Sequence, residues 1–259
     1  WVEAEDTVLT ISPIIDSNQS NLLYRFAAEV GRLGRRLSTS PGEAQRQLRA
    51  CDIVACRSVH ERERVVRGLG VDPGRTRIVL NGVDTDWLDQ ADVDRVRSDY
   101  GLPNDYVLHV SAFTQQRKNA ARIIEACAAL QYPLIIAGHS TPGPYLESLK
   151  AAINRTPNGR ILDFLPRHAL AGVLAGSKVF CLPSEHEGTG LAALEAAASG
   201  ASIVITKRGG THDYFGTLAE YADPYITSSI QAAIQRAWNA PRRDELREFV
   251  RTRMTWDHS

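Results

Sequence analysis

The sequence predicts an α/β protein whose larger part is a parallel β-sheet covered by helices on both faces. Three observations lead there. Short apolar runs recur at 106–110, 133–137, 160–165, 178–182 and 202–206. Segments with helical spacing of apolar residues fall between them, at 120–130, 145–153, 168–174 and 191–199. The runs are too continuously apolar for a sheet wetted on one side; Leu134-Ile135-Ile136-Ala137 has no polar member. Strands of that kind, alternating with helices, build parallel sheets. Such sheets bind ligands beyond the carboxyl ends of their strands. The loops after Val110, Ala137, Leu165, Leu182 and Thr206 are therefore where chemistry is expected.

The preceding block mixes helix and strand. Residues 21–37 place Leu22, Leu23, Phe26, Val30 and Leu33 at helical spacing. Ser40-Pro41-Gly42-Glu43 opens a second helix, with proline in a favoured first-turn position. A buried strand is expected at 52–56, a helix at 60–68 and a strand at 76–80. Asn81-Gly82 is a strong turn signal, and a polar connector, 84–104, follows it. The expected domains are 1–84 and 85–259. The tail, 226–253, reads as two helices interrupted near Asn239-Ala240-Pro241, with a solvated charged face.

Composition narrows the function. Thirty basic residues balance thirty acidic ones, so no global attraction to nucleic acid is expected. A local basic patch facing a membrane is still compatible with that balance. No run of about 18 apolar residues suits a membrane span. Cys51, Cys56, Cys127 and Cys181 form no CxxC pair and sit among apolar neighbours, which predicts buried free thiols, as in a reducing cytosol. The chain begins at Trp1 without a methionine and reads as a piece of a longer protein.

Two loops carry chemistry. The stretch 183–190 follows the strand Val179-Phe180-Cys181-Leu182 and leads into a helix near Leu191. Gly188 and Gly190 let a ligand approach the backbone, and the first free amides of the helix favour an anion such as a diphosphate. Glu187 can reach the hydroxyls of a bound sugar, and Glu195, about one turn into the helix, can point back to a ribose. Spacing alone leaves a Gly-rich turn with two solvated glutamates equally open. The second loop, 111–119, holds Arg117 and Lys118 at a helix entrance, where the helix dipole disfavours cations unless an anion is shared. Taken alone, they read more readily as two solvated cations; at the carboxyl end of a neighbouring strand they become counter-charges for the same diphosphate. Lys207-Arg208-Gly209-Gly210-Thr211-His212-Asp213 reads as a structural turn, with acid–base work by His212 and Asp213 as the lesser reading.

These stretches resemble a bacterial family 4 glycosyltransferase of the GT-B fold, a type often found in polysaccharide assembly; the resemblance runs from about Glu43 to Trp256. Asn81-Gly82-Val83-Asp84 is similar to the family's inter-domain "NGVD". Arg117-Lys118-Asn119 resembles its "RKN" loop, and Leu134 to Gly138 its central strand. Residues 183–196 resemble "PSxxEGFGLPxLEA" with the E-x7-E spacing intact. Residues 209–216 resemble "GGTREYFG", and Ala222-Asp223-Pro224-Tyr225 follows as "DPxD" would.

The resemblance implies a Rossmann-like C-terminal domain, a partial acceptor-side N-terminal α/β domain, and a set of roles. Arg117 and Lys118 neutralise the departing diphosphate. Glu187 contacts the donor sugar. The amides of Gly188, Thr189, Gly190 and Leu191 hold sugar and phosphate, Glu195 binds the ribose, and the backbone at Phe164-Leu165 meets the base. Transfer of a hexosyl group from a nucleotide-diphosphate sugar to a glycan or lipid-linked acceptor is implied, with retention of configuration. It would take place in the cytoplasm, at the inner face of the membrane if the acceptor is lipid-linked, without metal or other cofactor. Three departures stand out. Thr189 replaces the Phe of "EGFG", and Asp213 replaces the Glu of "GGTRE". The Gly-rich loop and His-containing segment of the family's first half have no counterpart upstream of Glu43, and no histidine precedes His60. The first part of the N-terminal domain is thus expected to be missing, which leaves the activity of this stretch alone an open expectation. A non-catalytic nucleotide-sugar-binding module is the alternative. Another is a same-fold epimerase, for which His139, His186 and His212 are the nearby acid–base candidates; a phosphorylase would need a cofactor lysine segment that is not recognisable.

Overall fold

The computed structural model describes residues 45–48, 50–241 and 244–258. The helix expected at 21–37 and the start of the one expected from Ser40 lie outside the described residues. The chain divides into two compact units, one ending at Leu80 and the other beginning at Asn81.

In the first unit, β1 (Val54–Cys56) and β2 (Thr76–Ile78) pair in parallel, joined by α1 (Val59–Leu69). The helix begins because Ser58 accepts a hydrogen bond from the Glu61 amide, and it ends at Gly70 in the left-handed conformation. Leu48, Cys51, Val54, Cys56, Val65, Leu69 and Val71 close a small core.

The second unit holds a six-stranded parallel sheet. Its strands are β3 (Val107–Val110), β4 (Leu134–Ala137), β5 (Arg160–Leu162), β6 (Val179–Leu182), β7 (Ser202–Thr206) and β8 (Glu220–Ala222), in the order β5-β4-β3-β6-β7-β8. Every pair is parallel, with Val107 beside Leu134 on one side and beside Val179 on the other. The order runs outward from β3 in one direction and from β6 in the other. The topological switch point therefore lies between β3 and β6, the place where doubly wound sheets open a crevice.

The helices of this unit are α2 (Val93–Tyr100), α3 (Ala120–Leu130), α4 (Pro144–Ile153), α5 (Arg167–Gly176), α6 (Leu191–Ala198), α7 (Thr211–Phe215), α8 (Thr227–Asn239) and α9 (Asp244–Arg253). On one face of the sheet α3, α4 and α8 bury Ile123, Ile124, Leu149, Ile230 and Ile234 against Val107, Leu134, Ile136, Val179 and Val204. Side chains alternate along a strand, so Leu108, Ile135, Phe180 and Ile203, also buried, serve the opposite face. There α5 packs on α2 and α6, and α9 on α6.

The strands and helices of the predicted pattern are present, with shorter strands at both edges. The strand expected at 160–165 ends at Leu162. The polar connector contains α2, whose only buried residue is Val96 and which is held by caps: Asp92 accepts from the Arg95 amide, and Gly101 closes the end in the left-handed conformation. The stretch read as a turn, 207–213, runs into the short helix α7 at Thr211, and β8 is an edge strand without a sequence expectation. All four cysteines are free and buried, as expected, and burial pushes the Cys181 thiol well above its ordinary pKa. Among the described residues no helix is long and apolar enough to cross a membrane.

Candidate functional site

Four loops meet at the carboxyl edge of β4, β3, β6 and β7, and main-chain contacts knit them together. After β4, Gly138 (φ +125°) lies so close to β3's exit that an added Cβ would sit 2.2 Å from the Ser111 carbonyl oxygen. After β7, Gly209 (φ +108°) comes equally near the loop after β6, where an added Cβ would lie 1.9 Å from the Glu187 carbonyl oxygen. Only glycine fits either position, for its backbone angle as well as for space. Glu187 is clamped further: its amide donates to Arg208 O (3.1 Å), and its carbonyl accepts from the Gly210 amide (3.0 Å).

The loops after β3 and β6 are joined directly across the switch point. The Glu185 amide donates to Arg117 O at 2.8 Å. Asn119, in the left-handed conformation at the start of α3, sends its side-chain amide to Pro183 O (2.6 Å) and Pro224 O (2.9 Å). These bonds are buried, so Asn119 fixes where the preceding two cations stand. Lys118 Nζ meets Glu187 Oε1 at 2.5 Å, with side chains only 13% and 12% exposed. One member comes from each of the two sequence signals. Arg117 differs: its side chain is exposed, and its contact with the neighbouring loop is through the backbone.

The loop ends at Gly190 (φ +79°), which caps the start of α6 without a side-chain hydrogen bond. The first-turn amides of an eight-residue helix therefore face the same edge as Lys118. Leu191 is 45% exposed at that end, whereas Thr189 is buried. One turn in, Glu195 is partly buried. Burial pushes its carboxyl up to about 7, the nearby Asp84 adds to this, and Arg167 opposes it. Arg167, at the start of α5, pairs with Asp84 at 2.5 Å and lies 5.0 Å over the Trp87 ring. The same loop places Leu165 inside and leaves Phe164 80% exposed.

Sequence reasoning missed His109, which is fully buried on β3 directly beneath the site. Its Nδ1 lies 2.8 Å from Cys181 O and its Nε2 2.7 Å from Ser111 Oγ. A carbonyl can only accept, so Nδ1 carries the proton and Nε2 accepts from the Ser111 hydroxyl. Burial first, and then Lys118, hold this imidazole down at about 4, neutral at ordinary pH. One polar residue within an otherwise apolar strand was the available signal. His212 stacks on Tyr221 at 5.7 Å rather than on the Lys118–Glu187 pair. Among the described residues no group of three or more His, Cys, Asp or Glu side chains could hold a metal ion.

The arrangement offers a cation held by a carboxylate and an open helix start at the carboxyl edge of the sheet, with a protonatable carboxyl one turn into that helix. The family model "Glycosyl transferases group 1" matches residues 92–252. A GDP-mannose-dependent alpha-(1-6)-phosphatidylinositol dimannoside mannosyltransferase of Mycobacterium tuberculosis is 37% identical over 122 residues, covering 44% of this chain and 30% of the relative. An alpha-maltose-1-phosphate synthase of Mycolicibacterium smegmatis is 26% identical over 230 residues, covering 81% of the chain and 58% of the relative. The chain thus spans well under two thirds of the length of either. The crystal structure of HepE from Anabaena, in complex with UDP and glucose, has the same fold, with a TM-score of 0.65 at 18% identity over 91% of this chain and 72% of that one.

Proposed function

Because this chain belongs to the group 1 glycosyl transferases, we propose that it carries the nucleotide-sugar site of a retaining enzyme that moves a hexosyl group from a nucleotide-diphosphate sugar to a glycan or lipid-linked acceptor. The observation that supports this reading most is the Lys118–Glu187 pair at the switch point of the sheet, beside the open end of α6. A relative acts with GDP-mannose and a structural neighbour binds UDP and glucose.

In this reading the donor diphosphate lies against Lys118 and the amides at 190–191, with Arg117 swinging in from the surface. The sugar lies toward Glu187, the ribose toward Glu195 and the base toward the loop at Leu165. The bond between the anomeric carbon and the diphosphate oxygen breaks as the acceptor oxygen bonds to that carbon from the same face, the acceptor's proton passing to the departing diphosphate oxygen. Negative charge builds on the leaving group, and Lys118 stabilises it without reorganisation, because Glu187 and the Asn119 side-chain bonds already hold it in place. The cations supply the charge that a metal would bring. The reaction would run on the cytoplasmic side, at the membrane when the acceptor is a lipid, in cell-surface polysaccharide synthesis.

A thermal-shift series with UDP, GDP and their hexose conjugates tests the reading. A ligand that binds only the folded state raises the melting temperature by mass action. At least one nucleotide diphosphate should do so, and Lys118→Met should weaken its binding about tenfold or more. A wild-type chain indifferent to all of them would defeat the proposal. Turnover of the conjugate would rule out the alternative, a non-catalytic nucleotide-sugar-binding module.

A further inference from the structure

The side chain of Thr189 does not face the crevice. It is 5% exposed, and its hydroxyl belongs to a closed triangle with Asn81 and Tyr214. Asn81 Nδ2 donates to Thr189 Oγ1 at 3.0 Å, Thr189 Oγ1 donates on to Tyr214 Oη at 3.2 Å, and the Asn81 main-chain N–H donates to the same Tyr214 Oη at 3.0 Å. Tyr214 is fully buried. The Thr189 hydroxyl is thus occupied both as acceptor and as donor, and what Thr189 offers a ligand is its main chain.

Two separated parts of the unit are joined by this triangle. Thr189 sits between Gly188 and Gly190, in the loop whose amides face the proposed diphosphate. Asn81 is the first residue of the second unit. The segment that follows is held at its other end by the C-terminal stretch: the Val83 amide donates to Met254 O at 2.8 Å, and a Cβ on Gly82 would lie 2.3 Å from the Trp256 nitrogen. A segment fixed at both ends gives the loop a firm anchor. With a glycine on each side, the loop has little stiffness of its own. The main-chain bonds at Glu185 and Glu187 hold the start of the loop, and the Thr189 hydroxyl adds the side-chain tie beyond them; buried bonds of this kind have no water to replace them.

We propose that Asn81, Thr189 and Tyr214 form a positioning network that pre-orders the 188–191 amides for a nucleotide diphosphate, so that anchorage of residues 81–83 and ligand binding are energetically coupled. The inference rests on the nucleotide-sugar reading above. Thr189→Val keeps the shape and deletes the hydroxyl, Thr189→Ser keeps the hydroxyl, and Asn81→Ala removes the side-chain donor at a residue outside the donor loop. Titration calorimetry with UDP and GDP, beside urea unfolding of each variant, reads the outcome. T189V and N81A should each weaken the nucleotide that the wild type binds by about fivefold to tenfold. The double variant should be no weaker than either single one, and T189S should stay within about twofold of wild type. Single effects that multiply in the double variant, or nucleotide affinities unchanged in both, would overturn the network while leaving the nucleotide-sugar reading standing. A wild type that binds neither UDP nor GDP defeats that reading, and the network's ligand role with it. If T189V does not fold, N81A against T189S decides: both within about twofold of wild type refutes the coupling.

Discussion

Lys118 and Glu187 are both little exposed, so removing either alone leaves the other charge poorly solvated and without this partner. Breaking such a pair from one side costs about 3 kcal/mol, much of it the desolvation of the orphaned partner. Lys118→Met should therefore destabilise the unliganded protein by about that much, and adding Glu187→Gln should recover a large part. Urea unfolding of the two single variants and the double one checks this; a double variant no more stable than Lys118→Met would mean that the pair is not coupled. Glu195 makes a second prediction at this scale. Its carboxyl titrates near 7 in the folded state against an ordinary value of 4.5, with burial as the main cause. Between those values the folded protein holds a proton that the unfolded chain has lost. Stability should then fall as pH rises from about 4.5 to about 7 and level off above. Glu195→Gln should remove that slope, as measured by melting temperatures from pH 4.5 to 8.5. A slope of the same size in the variant would place the titration elsewhere.

Among the elements, the glycine turns do for the loops what the helices do for the strands: they set the distance between neighbours. Gly209 carries the largest conflict, since an added methyl would enter the Glu187 carbonyl and its φ of +108° resists any L side chain. Gly209→Ala should push the loops after β6 and β7 apart, lower stability by more than about 1 kcal/mol and weaken nucleotide binding severalfold. Wild-type melting and binding in that variant would show that the close approach is dispensable. The same scale explains what could be read in advance. Strands buried on both faces declare themselves as apolar runs, so β3, β4, β6 and β7 were legible, and with them the loops where chemistry sits. The helix α2 was not, because it buries one residue and owes its ends to Asp92 and Gly101 rather than to an apolar stripe. The three-residue edge strand β8 leaves no periodicity to detect. Within the site, Glu187 and Lys118 were recognisable as separate signals, but their contact joins residues 69 positions apart and exists only because β3 and β6 are neighbours. The Asn81–Thr189–Tyr214 triangle is equally non-local. A threonine in place of phenylalanine could be seen as a departure, while its partners could not.

At the scale of the whole molecule, every candidate residue and every strand of the six-stranded sheet lies in the unit that begins at Asn81. Helices cover both sheet faces from within the same unit, and Val83 is bonded back to Met254 near its far end, so its two termini are tied together by its own contacts. A segment of this size with a self-contained core has what an independent domain needs. Residues 81–259 expressed alone should therefore unfold in one cooperative urea transition. They should also bind the nucleotide diphosphate taken up by the full chain with an affinity within about threefold, because no proposed donor contact is lost. Turnover is a separate matter: in the proposed reading the acceptor is presented by the N-terminal part, so the fragment should hold the donor without transferring it. Circular dichroism in urea, calorimetry with UDP and GDP, and a nucleotide-release assay on the sugar conjugate measure the three properties on one preparation. A fragment that folds but has lost the full chain's nucleotide affinity would show that the donor site draws on residues before Asn81, and would move Lys118 and Glu187 from the centre of the site to its edge.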